Sequence, residues 1–199
     1  MTYPKPKPKS RLILILLVLL LVVGGAFFIY KSKSRSTTNN PTTTQDNKDS
    51  KSLNQETIEG NGFSYAKPEG WAKLSKELLG AQQADSGIGH TNPGGSVVTF
   101  VVKVLSSTPA NDTELKNAVL AAPKYLPGFE LITSESIKVN DKSGQRFSYR
   151  FGEGIKTKQE LNAVVFNKKT YVLLFSSVEI DFDERKPDMA KILNSFNFK

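Results

Sequence analysis

Nineteen consecutive uncharged residues, Leu12-Ile-Leu-Ile-Leu-Leu-Val-Leu-Leu-Leu-Val-Val-Gly-Gly-Ala-Phe-Phe-Ile-Tyr30, constrain the arrangement of this chain more than any other feature. As a helix they span about 28 Å, close to the hydrocarbon thickness of a bilayer. A cleaved secretory signal is the competing reading, because Val23-Gly-Gly-Ala26 offers small residues to a peptidase. The run is longer than a usual signal core, Phe27-Phe-Ile29 continue it past the small residues, and Tyr30-Lys31 forms an interfacial stop. We therefore expect an uncleaved signal-anchor, a single transmembrane helix over 12–30. Lys5, Lys7, Lys9 and Arg11 precede it, and Lys31, Lys33 and Arg35 follow. Four positives against three lean toward a cytoplasmic N-terminus, as does the shortness of the 1–11 tail. That tail alternates lysine with proline, an extended pattern whose charges suit anionic headgroups. Membrane lipids are thus the expected partners of 12–30 and its basic flanks.

The same residues explain the charge. The net +8 of the chain suggests a nucleic-acid binder until its location is examined. Seven basic residues and no acid lie in 1–35, which leaves 20 basic against 19 acidic residues in 36–199. A nucleic-acid interface needs a basic patch on the folded part, and this balance argues against one. Cysteine is absent, which excludes disulfides, thiol nucleophiles, thiolate metal sites and a lipidated cysteine.

Residues 31–57 contain Lys, Ser, Thr, Asn, Gln and Asp, interrupted by Pro41, with Leu53 as the one aliphatic residue. No apolar period supports a helix or strand, so we expect a disordered polar linker with a reach of about 30 Å. It would display everything after it outside the cytoplasm.

From Ile58 to Lys199 the pattern is that of a folded domain. Phe63 and Tyr65 alternate with Ser64 and Ala66, predicting a half-buried strand. Pro68-Glu-Gly70 then reads as a type I turn, with proline second and glycine fourth. Leu74, Leu78 and Leu79 predict a short helix ending at Gly80. Ser96–Leu105 is β-branched and almost wholly apolar, a central strand. Asn111-Asp-Thr-Glu114 has the capping-box arrangement, and Leu115, Ala118, Val119 and Ala122 fall on one helical face before Pro123. Strands are expected at Phe129–Val139, Gln145–Phe151, Gln159–Phe166 and Tyr171–Val178, joined by turns at 140–144 and 167–169. A last helix carries Met189, Ile192, Leu193 and Phe196 on one stripe. Strands outnumber helices and are joined by short connections. The expected class is α+β, an antiparallel sheet flanked by helices.

The order of "Phe63-Ser-Tyr65…Pro68-Glu-Gly-Trp71", a strong strand, a helix, "Leu126-Pro-Gly-Phe129", a strand meander and a terminal "Ile192-Leu-Asn-Ser-Phe196" resembles the PsbP-like superfamily. That superfamily includes the extrinsic photosystem II subunit and the bacterial DcrB-type domains. The resemblance covers roughly 60–199 and implies an α-β-α sandwich with a non-enzymatic accessory or assembly role. Lys67 departs from it, standing where many relatives carry an apolar residue. No residue matches a photosystem or manganese site, and no cofactor is implied.

Four stretches invite a chemical reading. Ser64-Tyr-Ala-Lys67 spells the S-x-x-K of serine acyl transferases, which requires a helix, but it lies in a predicted strand with Pro68 behind it. His90, the single histidine, sits in the glycine-rich Ser86–Gly95; it cannot build a multi-histidine zinc site and reads as a solvated loop residue of a hairpin. Glu179–Glu184 gathers four carboxylates without the glycine and ligand spacing of a calcium loop, and reads as the acidic start of the last helix. Asn111-Asp-Thr113 fits a glycosylation sequon but reads as the helix cap. His90, Arg146 and Arg150 remain as candidates for a ligand or partner surface, with Lys138 as a further lining residue. The expected function is non-catalytic: an accessory or assembly factor that binds a membrane or envelope protein. A small-molecule or lipid-binding module is the alternative, and an envelope hydrolase a distant third. Partner identity and oligomeric state are outside what the residues encode legibly.

Overall fold

Period-two alternation builds most of the molecule, which a computed structural model describes over residues 55–199. The expected membrane helix and nearly all of the expected linker lie outside these residues. Among the described residues no helix is long and apolar enough to cross a membrane. In chain order the elements are β1 (Thr57–Gly60), β2 (Phe63–Ala66), β3 (Ala72–Lys73), α1 (Lys76–Gln82), β4 (Ser86–Thr91) and β5 (Val97–Leu105). These lead to α2 (Asp112–Val119), β6 (Glu130–Val139), β7 (Lys142–Phe151), β8 (Thr157–Phe166) and β9 (Lys169–Val178). The chain closes with α3 (Glu179–Phe182), α4 (Lys186–Ser195) and β10 (Asn197–Phe198).

Seven strands form one antiparallel sheet in the order β3-β4-β5-β9-β8-β7-β6. On β9, Tyr171, Leu173 and Phe175 point to one face and Val172 and Leu174 to the other, so both faces of this central strand are apolar and both are covered. The first face packs against α3, α4 and the small sheet β1-β2-β10, around Phe63, Tyr65, Phe100, Phe196 and Phe198. The second packs against α2 and the segment after it, through Leu115, Val119, Leu120 and the β7 aromatics Phe147, Tyr149 and Phe151. The α+β class with an antiparallel sheet is as expected, although one outer layer is part helix and part sheet.

Boundaries differ from the sequence reading where left-handed residues shorten turns. Asn140 and Asp141 both have positive φ (43° and 62°), as do Asn167 and Lys168 (47° and 60°). Each pair makes a two-residue hairpin turn whose twist matches its strands, so β7 and β9 begin earlier than expected. The Pro68 turn is also shifted by one residue. Trp71 N–H donates to the Pro68 carbonyl at 3.3 Å, and Gly70 takes the third position with φ 76°, the left-handed site of a type II turn. Helix α1 runs past Gly80 and is closed by Gln83 at φ 50°. Finally, Ser86–Thr91 is a strand, not a loop. A Cβ at Gly87 would stand 2.8 Å from Leu74 Cδ1 and 3.1 Å from Leu79 Cδ2, so its glycine makes room for side chains lying across β4.

The cap of α2 is as expected. Asn111 Oδ1 accepts from Glu114 N–H at 2.9 Å, while Glu114 Oε2 accepts from the Ala110 N–H at 2.9 Å. Asn111→Ala removes the first of these, and urea unfolding should show a loss of about 1 kcal/mol.

Candidate functional site

Strands β6, β7 and the adjoining part of β8 extend beyond the cover of α4, and a groove opens there. Alternation decides its chemistry. The odd positions of β7 carry the buried aromatics of the α2 face, so Arg146, Ser148 and Arg150 face α4. Cross-strand register sets Asn162 beside Arg146, Glu160 beside Ser148, and Lys158 beside Arg150. On the other side Glu135 is paired with Arg146 and Thr133 with Ser148. The groove holds ≈ 510 Å³, with Arg146, Ser148, Lys158 and Glu160 as a polar floor and Phe182, Met189, Ala190 and Leu193 as an apolar wall.

Arg146 is the hub of this floor. Its Nε lies 3.0 Å from both Glu160 Oε1 and Asn162 Oδ1, and its guanidinium reaches Glu135 Oε1 at 3.5 Å. The Glu160 side chain is only 8% exposed. Burial pushes its carboxyl above the ordinary carboxylate value, against the opposing pull of Arg146 and the hydrogen bond from Asn162. Arg150, two residues along on the same face, is bound on both sides: Glu130 Oε2 at 2.8 Å and Glu179 Oε1 at 2.9 Å. These two hydrogen-bonded glutamates hold its guanidinium still more firmly protonated. Both arginines are therefore engaged with the protein's own acids.

The remaining candidates separate. His90 lies on β4, four strands from β7, about 19 Å away at ordinary strand spacing. It is half-buried in a strand rather than solvated in a loop: its ring sits 5.9 Å from that of Trp71, and Nδ1–H donates to the Gly70 carbonyl at 3.0 Å. Lys138 points to the α2 face, into a second groove of ≈ 480 Å³, and so is not part of the Arg146 surface. Lys67 Nζ donates to the Trp71 carbonyl at 2.8 Å and pairs with Glu56 at 3.2 Å, while Ser64 is buried within β2; the S-x-x-K residues serve different contacts.

Three of the four carboxylates of 179–184 are taken up in separate contacts. Glu179 holds Arg150, Asp181 accepts from Ser96 Oγ and Asn92 Nδ2, and Asp183 pairs with Lys158 and Lys186. Among the described residues no group of acids or histidine is placed to hold a metal ion. Glu160, Asn162 and Ser148 were missed by sequence reasoning. Their signal was the polar alternation Arg146-x-Ser148-x-Arg150 and Lys158-x-Glu160-x-Asn162 on neighbouring strands.

Comparison with known proteins rests on the whole described fold and on part of the preceding segment. The PsbP-like protein family matches residues 12–198. The chain belongs to the PsbP-like family. Among solved structures, this PsbP-like chain is similar to a Pseudomonas aeruginosa protein of unknown function, PA94, described as a putative regulator. Identity is 14% and the TM-score 0.50, covering 71% of this chain and 94% of that one. It is also similar to the cyanobacterial PsbP, CyanoP, of Synechocystis sp. PCC 6803, at 16% identity and a TM-score of 0.50, covering 69% and 87%. LpqN of Mycobacterium tuberculosis, described as involved in cell envelope biogenesis, follows at 12% identity and a TM-score of 0.49, covering 75% and 87%. A search of the curated proteins returns no match. At these identities the likenesses to PA94 and CyanoP establish the fold alone, and that to LpqN carries no argument.

Proposed function

We propose that this PsbP-like domain is a non-catalytic accessory or assembly module, held outside the cytoplasm by the 12–30 segment, and that it binds a membrane or envelope protein through the groove beside α4. The observation that carries the reading is the make-up of that groove. Its charges are internally matched around Arg146 and its far wall is apolar, which gives a stable, shaped surface with adjacent polar and apolar strips, as partner-binding surfaces have. Family membership supports the same reading. So does the engagement of His90, Lys67, Asp181 and Asp183 in contacts that hold turns and helices together.

The size of the groove favours a second reading, a small-molecule or lipid site, since ≈ 510 Å³ is within the range of ligand pockets. Site-specific photocrosslinking separates the two. With the crosslinking residue at Thr133 or Ala190 in the full chain, in cells, the accessory reading expects one protein adduct of defined mass. Ser143, which lines the opposite groove, should give none. Lipid or metabolite adducts without protein would favour the second reading, and no adduct at either groove position would overturn both.

A further inference from the structure

The three most exposed large apolar side chains of the described domain are Ile180 (86%), Ile155 (81%) and Tyr125 (75%); the next, Ile132, is 43% exposed. Scattered exposed hydrophobics are ordinary, but these three gather at one end. Ile180 is the second residue of α3, and Ile155 lies in the Gly152–Lys156 loop between β7 and β8. The two are brought together where Glu179 N–H donates to the Lys156 carbonyl at 2.8 Å. Tyr125 precedes the Leu126–Phe129 segment, which Gly152 fastens to the same loop by donating to the Pro127 carbonyl at 2.7 Å.

The acids that flank Ile180 are paired within the protein. Glu179 is held by Arg150, and Asp181 by Ser96 and Asn92 at the β4–β5 turn. Lys124 and Lys156 stand next to Tyr125 and Ile155, with Glu153 sharing the loop. Apolar tips beside lysines are the composition of an interfacial contact with lipid.

The chain enters the domain in the same half of the molecule. Thr57 opens β1 opposite Ala66, the last residue of β2, and Glu56 accepts from Lys67 N–H at 2.8 Å. The turn after Lys67 packs on His90, next to the end of β4, and β4 leads directly into the Asn92–Ser96 turn that Asp181 grips. The opposite end carries the C-terminus, where Lys199 N–H donates to the Gly62 carbonyl. Residues 1–54, with the 19-residue apolar segment, therefore join the domain on the side of Ile155 and Ile180.

We infer that this end is a lipid-docking surface: Ile155, Ile180 and Tyr125 insert shallowly into the membrane that holds the chain's own anchor. The inference rests on the anchored reading proposed above. Three side chains are a weak membrane ligand for a free protein. Linkage in one chain to a bilayer-held anchor keeps them at high effective concentration beside the bilayer and makes the contact intramolecular. Docking in this way orients the α4 groove at a fixed height and angle above the membrane.

The absence of cysteine makes the test clean. Ile155→Cys, Ile180→Cys and, as a control at the other end of β8, Val165→Cys each carry one nitrobenzoxadiazole label in the full chain. The chains are reconstituted in phosphatidylcholine–phosphatidylglycerol vesicles containing doxyl-labelled lipids. The expected result is co-flotation, with quenching at 155 and 180 about twofold or more above that at 165. Co-flotation with equal quenching at all three positions overturns the docking surface and leaves the anchor standing. Shielding of 155 and 180 from an aqueous quencher without doxyl quenching assigns the tip to a protein and overturns lipid docking. Failure to co-float overturns the anchored reading and the docking inference together.

Discussion

Replacing Phe196 by alanine is expected to lower the stability of the domain by about 3–5 kcal/mol, the cost of emptying a large buried aromatic site. Phe196 is fully buried and lies 4.9 Å from the ring of Phe198, 5.5 Å from Phe63 and 6.1 Å from Tyr65. It also stands where α4 turns into β10, its N–H donating to the Leu193 carbonyl at 3.3 Å. One ring thus joins the last helix, strands β2 and β10 of the small sheet and, through Tyr65, Phe100 of the large sheet. The loss is comparable with the whole stability of many domains of this size, so urea unfolding should start near zero denaturant or lose its cooperativity. Phe196→Leu keeps most of the volume and should cost far less. A loss under about 1 kcal/mol for the alanine variant would mean that the small sheet is not held by this cluster.

Arg146→Met is the second large effect, and its size depends on pH. The substitution removes the cation from Glu160, which is buried, and leaves Asn162 as its partner. Stripping one member of a buried pair costs about 3–5 kcal/mol; Arg146 is itself 30% exposed, so the low end of that range is expected at pH 7. Glu160 already has its carboxyl raised by burial, so the folded protein holds this proton more tightly than the unfolded chain does. Its contribution is therefore fully present below the ordinary unfolded value and is lost as pH climbs from there through the raised folded value. Without Arg146 the folded value rises further and the window widens. The Arg146→Met variant should be close to wild type near pH 4 and progressively less stable toward pH 7. Adding Glu160→Gln should flatten the profile and recover much of the loss, as urea midpoints across pH would show. A deficit independent of pH would mean that Arg146 acts through packing and not through the Glu160 charge.

These two sites show what the residues made legible. Phe196 and Phe63 were readable as core because they lie on a helical stripe and an alternating strand, and burial follows from those periods. The meander β6–β9 was readable from its apolar alternation, but its turns were not. Asn140-Asp141 and Asn167-Lys168 lack the glycine that usually marks a two-residue hairpin, and only their positive φ reveals it. The stretch around His90 was read as a loop because glycines usually break strands. Here Gly87 serves the packing of Leu74 and Leu79 across β4, a tertiary requirement with no local signature. Arg146 and Arg150 were legible as sharing one face, because they alternate with Phe147, Tyr149 and Phe151. Their acids were not, because Glu160, Glu135 and Glu130 come from neighbouring strands, and register between strands is set by turn lengths that had been misjudged. The joining of Ile155 to Ile180 was equally hidden, since it depends on a backbone bond between segments 23 residues apart.

The reading of the whole molecule depends on the domain being held on the outer side of a membrane, and a membrane-impermeant maleimide tests that directly. In cells making the full chain, Thr2→Cys and Ser143→Cys each provide one reactive thiol, since the chain has none of its own, and Ser143 is exposed at the end of the domain away from Ile155. The expected result is that the protein stays in the membrane pellet through alkaline carbonate, that position 143 labels in intact cells, and that position 2 labels only after lysis. Labelling of position 2 but not 143 in intact cells, or release of the protein by carbonate, would contradict this reading.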